Sequence, residues 1–192
     1  SVFGKNFTSP ITKNCLSHYK FYLIDSSFID NNWCYQIDFI PKRNGELTFD
    51  GTLWINDTTY AIKKVKGFIN KTANINFINE LELTQTFKQV EPEIWMLTKD
   101  ELFVDFEWLE SGLGVYANKN TFYSNFSINK PFENSFFNSE EKISISDTAT
   151  SKSNLFWIEN RQEKLSQQEQ FIYNMVDSLK DVPVIKTYAD VI

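Results

Sequence analysis

A chain of 192 residues with one histidine and two cysteines has few routes to chemistry. His18 is the single candidate for an imidazole general base, and one imidazole excludes the usual multi-histidine metal sites. It stands at the mouth of a predicted strand with no fixed partner, so its expected role is structural. Serine-nucleophile patterns, P-loops, dinucleotide glycine runs and paired-cysteine metal spacings are all absent. No metal and no cofactor are expected. The carboxylates Asp100, Glu101, Asp105 and Glu107 fall on one predicted strand and split between its faces; two of them flanking a cleft could frame a glycosidase-like pair. Asp50, among Thr48, Thr52 and Trp54, belongs to a solvated hairpin face. The main expectation is a non-enzymatic chain with no catalytic residues. A hydrolase acting on surface glycan or peptide through Asp100, Glu101 and Asp105 is the enzymatic alternative, and it requires those acids to converge.

Other residue types suit contact rather than reaction. Trp33, Trp54, Trp95 and Trp108 raise the idea of stacking on sugars, but alternation groups Trp108 with apolar neighbours and leaves Trp54 and Trp95 as the surface contact candidates. Cys15 and Cys34 can pair in an exported protein or sit as two separate buried thiols; two cysteines make no disulfide framework. Sequons occur at Asn6, Asn56, Asn70 and Asn125 in a chain rich in asparagine.

These residues must be positioned by strands. Of the residues, 42% are hydrophobic and 16% aromatic, with 18 Phe, a bias toward sheet. "HYKFYLIDSSFI" and "NNWCYQIDFI" read as the first two strands, followed by a turn at "PKRNGE". A hairpin follows, with Leu47, Phe49, Leu53 and Ile55 on one face and Asn56-Asp57 at its corner; its return strand puts Tyr60, Ile62 and Phe68 on one side and Ala61, Val65 and Ile69 on the other, so it is twisted, bulged at Gly67 or covered on both faces. In "INFINELELTQTFKQV", Phe77, Leu81, Leu83 and Phe87 share a face. In "IWMLTKDELFVDFEW", Ile94, Met96, Leu102, Val104, Phe106 and Trp108 share one, and beyond it Tyr116, Phe122, Phe126 and Ile128 do. Short turns in chain order predict an antiparallel meander.

The expected organisation is therefore mainly β (α+β): a sheet over residues 1–130, a polar linker or arm over 131–154, and a C-terminal helix and tail over 155–192. Ser166 and Glu169 form a capping box for an amphipathic helix with Phe171, Ile172, Met175, Val176 and Leu179 on its apolar stripe. The net charge of −6 offers no footprint for nucleic acid or for anionic lipid. No apolar run approaches the roughly 20 residues of a spanning helix, and the start lacks the order of a signal peptide. A signal or membrane part can lie outside this fragment.

The segments "YKFYLID", "CYQIDFIPKRNGELTFDGTLWINDTTYAIKKV", "ANINFINEL", "IWMLTKDELFVDF", "YSNFSINKP" and "FWIENRQEKLSQQE" together resemble the DUF5686 family of Bacteroidetes, often labelled carboxypeptidase-like regulatory domain proteins. The resemblance implies an exported protein with a β-sandwich before this region and an outer-membrane barrel after it, so that this chain is the middle, periplasmic piece. It supplies no peptidase residues. Asp147-Thr148-Ala149 resembles the O-glycosylation motif of exported proteins of that group and makes Thr148 a glycosylation candidate. The hairpin from Gly51 to Ile62 is also similar to the sheet of lipoprotein carriers of the LolA and LolB type, which implies a strongly curved half-barrel sheltering an acyl chain. Its apolar inner face would be lined by Leu53, Ile55, Leu81, Leu83, Phe87, Leu102, Val104, Phe106, Phe122 and Phe126. The function expected is binding of an apolar ligand, such as a lipid or lipoprotein acyl chain, or of a partner segment. A structural spacer between sandwich and barrel is the other non-enzymatic alternative.

Overall fold

The computed structural model of the chain describes residues 5–69, 75, 78–107, 114–138 and 151–180. Phe77, Trp108, Thr148 and the tail from Pro183 lie outside the described residues. The chain divides into two units, Ser1–Lys130 and Pro131–Ile192.

The first unit opens with a short helix, α1 (Cys15–His18), and continues as seven strands. They are β1 (Tyr19–Ile29), β2 (Asn32–Pro41), β3 (Asp50–Asn56), β4 (Ile62–Ile69), β5 (Ile78–Glu91), β6 (Ile94–Glu107) and β7 (Gly114–Phe122). Their order in the sheet is their order in the chain, and every pairing is antiparallel, so this is an open meander. Tight corners make the topology local. Asp30 takes φ 51° in the β1–β2 turn, and Glu93 takes φ 64° after Pro92 in the β5–β6 turn, where proline presets the first corner.

The β3–β4 corner is built on Asn56, whose buried amide oxygen accepts from the Thr59 N–H at 2.9 Å and the Thr59 hydroxyl at 2.8 Å. Its Nδ2 donates to the Trp33 carbonyl at 3.3 Å, tying the corner to β2. An Asx-type turn of this kind explains why asparagine sits at the end of an otherwise apolar strand.

Bulges decide which side chains share a face. On β4 the pairing passes from Trp54↔Lys64 to Ile55↔Ile62, leaving Lys63 as the extra residue. The break in alternation therefore lies at Lys63 rather than at Gly67, and Ile62 joins Val65 and Ile69 instead of Phe68. On β6, Thr86↔Lys99 is followed by Phe87↔Leu97, which leaves Thr98 extra, and the Thr98 hydroxyl donates back to the Thr86 carbonyl at 3.1 Å. Met96 is thereby placed opposite Lys88, away from the face of Leu102 and Val104, while Leu97 pairs with Phe87. One inserted residue reverses the parity of everything beyond it.

The sheet's apolar face carries two clusters. Tyr19, Phe39, Leu53 and Val65 form the first, and Ile69, Leu81 and Val104 the second. Each such side chain contributes on the order of 1.5–3 kcal/mol on burial. The opposite face is polar, with Thr52, Lys66, Thr84 and Glu101 in register across β3 to β6.

In the second unit, a 3-10 turn (Asn134–Phe137) lies within the segment expected to be a polar linker, and α2 (Asn154–Asn160) is a helix that the sequence pattern did not suggest. The Ser153 hydroxyl caps α2 by accepting from the Phe156 N–H at 3.2 Å. Helix α3 (Gln167–Lys180) starts on the capping box: the Ser166 hydroxyl accepts from the Glu169 N–H at 3.2 Å, and the Glu169 carboxylate accepts from the Ser166 N–H at 2.8 Å. The Ser166 N–H first, and then the Ser166 hydroxyl, which donates to the same carboxylate at 2.8 Å, hold the Glu169 carboxyl below its ordinary range. No described helix is long and apolar enough to cross a membrane.

Candidate functional site

The residues expected to line an apolar face are largely brought together by the register. Leu53 and Ile55 oppose Val65 and Ile62; Leu81 and Leu83 oppose Ile69 and Gly67 on one side and Val104 and Leu102 on the other. Phe87 packs against the first cluster, and Leu102 and Phe106 pack against the second. Phe122 is placed differently. It pairs with Lys99, whose partner is Thr86, so it lies on the polar face with the Lys99 ammonium 5.4 Å from its ring centre. Strand β7 ends at Phe122, which leaves Phe126 beyond the sheet.

The apolar face is covered by the chain's own start. Phe7 packs against Ile69, Leu81 and Val104 and lies 5.2 Å, centre to centre, from Phe49; Cys15 packs against the Tyr19–Phe39 cluster. The Thr8 N–H donates to the Leu47 carbonyl at 2.8 Å. The Tyr19 hydroxyl donates to the Thr8 carbonyl and accepts from the Phe49 N–H at 3.0 Å, clasping this strap to the loop before β3. Burial pushes the Tyr19 phenol pKa up, offset in part by the Phe49 N–H. Between strap and sheet, a cleft of about 60 Å³ is lined by Ser9, Pro10 and Ile11 above and by Phe39, Val65, Gly67 and Leu83 below. That volume holds a water or two, against the several hundred Å³ of a ligand pocket.

Gly67 lies in the cleft's floor, beside Gly51. Gly51 and Gly67 face each other across β3 and β4, and a Cβ on Gly51 would lie 2.0 Å from the Lys66 carbonyl oxygen and 2.8 Å from the Phe39 ring. Phe39 therefore packs directly on bare backbone, filling the space a side chain would take.

The acids expected to need convergence do not converge. Asp100 shares the side of Gln85, whose amide donates to it at 2.9 Å, whereas Glu101 points to the other face and pairs with Lys99 at 2.9 Å. Asp105 is two strand positions from Phe103, on the side of Glu101 and opposite Glu80. The Glu107 side chain is not among those described. His18, expected without a partner, has one: its Nδ1 lies 3.2 Å from the Glu46 carboxylate, which also accepts from Arg43 at 2.8 Å. Arg43 first, and then His18, hold the Glu46 carboxyl below its ordinary range. Among the described residues no group of His, Cys, Asp and Glu is arranged to hold a metal ion.

Trp54 lies on the polar face with the Lys64 ammonium 5.3 Å from its ring centre. Trp95 pairs with Gln89, and the Thr98 bulge turns it to the side of Phe87; its buried indole N–H has no acceptor among the described residues. Cys15 and Cys34 are both free thiols, Cys34 fully buried and its pKa raised by that burial.

One feature lay outside the expected set of residues. The edge strand β1 and its neighbour β2 expose Tyr22, Leu23, Ile24, Phe28, Trp33 and Tyr35, with Leu23 and Phe28 each 67% accessible. The Phe28 and Trp33 rings meet edge to face at 4.8 Å. Among the described strands β1 pairs only with β2. At the other edge, β7 presents exposed Asn118, Lys119 and Asn120. Polar and lysine-bearing edges resist pairing with other chains, and apolar ones invite it. The signal was available in "FYLI", an unbroken apolar run in an edge strand.

Fold and site together define a class: an open antiparallel meander whose apolar face is strapped by its own N-terminal segment and whose first edge is apolar. The chain belongs to DUF5686, a family of unknown function, which it matches over residues 1–126. That match ends four residues after β7, so it spans the sheet unit. No curated protein and no solved structure matches the chain.

Proposed function

We propose that this chain is a non-enzymatic binding domain of an exported, outer-membrane-associated protein, working in the periplasm, and that its ligand is an extended segment of a partner protein added to the β1 edge. The observation that carries this is the contrast between the two edges: β1 exposes Leu23, Ile24 and Phe28, whereas β7 exposes Asn118, Lys119 and Asn120 beside a single aromatic, Tyr116. An incoming strand takes its affinity from main-chain hydrogen bonds and its specificity from alternate side chains. The bulge at Ile24 divides β1 into two short registers, Tyr19–Leu23 and Asp25–Ile29, so the segment engages one of them rather than the whole strand.

Binding of a lipid or lipoprotein acyl chain to the inner face is the second form of this reading. It is favoured by the gathering of eight expected residues on one face, but the cleft of about 60 Å³ admits such a ligand only if residues 5–18 leave. A carrier-like cupping of the sheet belongs to that displaced state.

The test is photo-crosslinking in the native host, with a benzoylphenylalanine placed at Phe28 on β1 or at Lys119 on β7. The expected result is one discrete protein adduct from Phe28, none from Lys119, and loss of the adduct in Leu23→Lys. No adduct at Phe28, identical adducts at both edges, or an adduct of the chain with itself overturns the proposal.

A further inference from the structure

The polar face carries a groove of about 390 Å³ across β4 to β7, remote from the β1 edge in strand order. Its charges are largely cancelled: Lys66 pairs with Glu82 within it at 3.0 Å, and Glu101 pairs with Lys99 beside it at 2.9 Å. What remains on the groove surface is neutral hydrogen-bonding capacity, from the Thr84 hydroxyl and the Asn118 and Asn120 amides, which both donate and accept. Aromatic rings stand just outside its lining at opposite corners, Tyr116 two residues from Asn118 on β7 and Trp54 paired with Lys64. At one, Tyr116 stacks on Phe103 with ring centres 6.0 Å apart and planes 21° apart, and Tyr116 is 70% exposed. At the other, on β3, lies Trp54. Four strand intervals, about 19 Å, separate β3 from β7, and six residues of register, about 20 Å, separate Tyr116 from Phe122, which stands in the row of Trp54, so the two rings lie about 27 Å apart on a diagonal.

We propose that this groove binds an oligosaccharide carrying an acidic sugar. Sugars offer apolar ring faces for Tyr116 and Trp54 and hydroxyl groups for the amide and hydroxyl side chains between them. The acid follows from the charge left over. Lys64 lies over Trp54 and is paired with no carboxylate among the described residues, so it is the cation free to meet a uronate. Glu80 and Asp105 face each other beside Tyr116, at the opposite end, and would repel a carboxylate there. The bound chain therefore has a direction, with its acidic sugar at Lys64. An apolar ligand finds too little apolar surface in this groove, and a nucleic acid finds most of the lysines already paired.

The experiment is an array of oligosaccharides with and without uronic acids, followed by calorimetry on the full chain with an oligogalacturonate, a neutral maltotetraose and a glutamate-rich peptide of matched charge. The expected result is binding to acidic members, at least about fivefold weaker for the neutral sugar, and at least about fivefold loss in both Lys64→Gln and Tyr116→Ala with unchanged unfolding midpoints. No binding across the array, equal binding of neutral and acidic sugars, retention in both variants, or equal binding of the peptide each overturns it. Crosslinking at Phe28 reads a different edge, so this proposal and the partner-segment proposal fail separately.

Discussion

The two facing glycines should respond oppositely to the same methyl group. At Gly51 a Cβ would sit 2.0 Å from the Lys66 carbonyl oxygen, 2.8 Å from the Phe39 ring and 2.9 Å from the Gly67 Cα. Real Cβ contacts stay above 3.0 Å, so β3 and β4 must separate by about 1 Å, and two of the three obstructing atoms are backbone. Overpacking of this kind costs roughly 1–3 kcal/mol. Each ladder hydrogen bond weakened as the strands part adds about 1 kcal/mol. Gly51→Ala should therefore destabilise by about 3–4 kcal/mol. At Gly67 the nearest atoms are the Phe49 side chain at 3.7 Å and the Asp50 carbonyl at 3.8 Å, which is ordinary contact. There the methyl group enters the cleft beneath Pro10 and Ile11, and Gly67→Ala should be neutral or stabilise by about 0.5–1 kcal/mol through burial and a stiffer unfolded chain. Urea unfolding followed by tryptophan fluorescence measures both, since Trp33 in β2 and Trp54 in β3 report on the sheet as a whole. A Gly51→Ala loss below about 1 kcal/mol, or a Gly67→Ala loss of equal size, would refute the close packing of Phe39 on Gly51.

Three further perturbations probe the strap and the sheet. Tyr19→Phe removes the hydroxyl shared by the Thr8 carbonyl and the Phe49 N–H and should cost about 1–2 kcal/mol, with faster hydrogen exchange at Phe49 and no change along β5–β6. Because burial raises the Tyr19 pKa above its unfolded value, its contribution is fully present below the unfolded phenol pKa and fades as pH rises through the folded one; an alkaline unfolding series should lose that component in Tyr19→Phe. Lys63 is 3% exposed and bonds to Asp30 at 2.8 Å, and this bond holds the Asp30 carboxyl below its ordinary range. Its stabilisation is present above the unfolded carboxylate pKa and is lost as pH falls through the lower folded value, so acid titration of Asp30→Asn should show a flatter stability profile below about pH 4. At neutral pH that variant should cost about 1–2 kcal/mol, a figure reduced because Asp30 is largely exposed. Cys34 should resist iodoacetamide in the folded chain and react at the rate of opening, while Cys15 reacts ahead of it; equal rates, read by peptide mass spectrometry, would contradict the burial of Cys34.

The meander was legible because its signals are local. Two-fold alternation in β5, a proline at the β5–β6 corner and the Asn56 turn each act within a few residues, as does the Ser166–Glu169 capping box. What alternation could not reveal were the bulges at Ile24, Lys63 and Thr98, because an inserted residue looks like any other until a partner strand shows the slip. Those slips account for Ile62 and Met96 being assigned to the wrong sides. Phe122 has a different cause. Tyr116 and Phe122 do share a face, but alternation within one strand does not say whether that face is apolar or polar, and pairing with Lys99 makes it polar. The strap was illegible because "KNFTSPITKNC" has no period at all; Pro10 is buried and Phe7 half-buried by what they lie against.

That strap also divides the labour of the sheet. A single-layer meander needs cover on its apolar face, and here the cover comes from residues 5–18, tied by the Thr8 N–H and the Tyr19 hydroxyl. With that face occupied, the surfaces left for other molecules are the edge at β1 and the polar face, and their chemistries differ. At the edge, β1 pairs with no strand but β2 among the described residues and exposes Leu23 and Phe28; the polar face offers internally paired charges between aromatic rings. Replacing Phe7 by alanine separates the roles. It should expose Leu81 and Val104 and cost about 1–3 kcal/mol, the core value reduced because Phe7 is half-buried, while leaving the Lys64–Trp54 and Phe103–Tyr116 contacts intact. Uptake of a fluorescent fatty acid by Phe7→Ala but not by the parent chain would identify the strap as the gate to the inner face. No uptake by either would leave the strap as core alone.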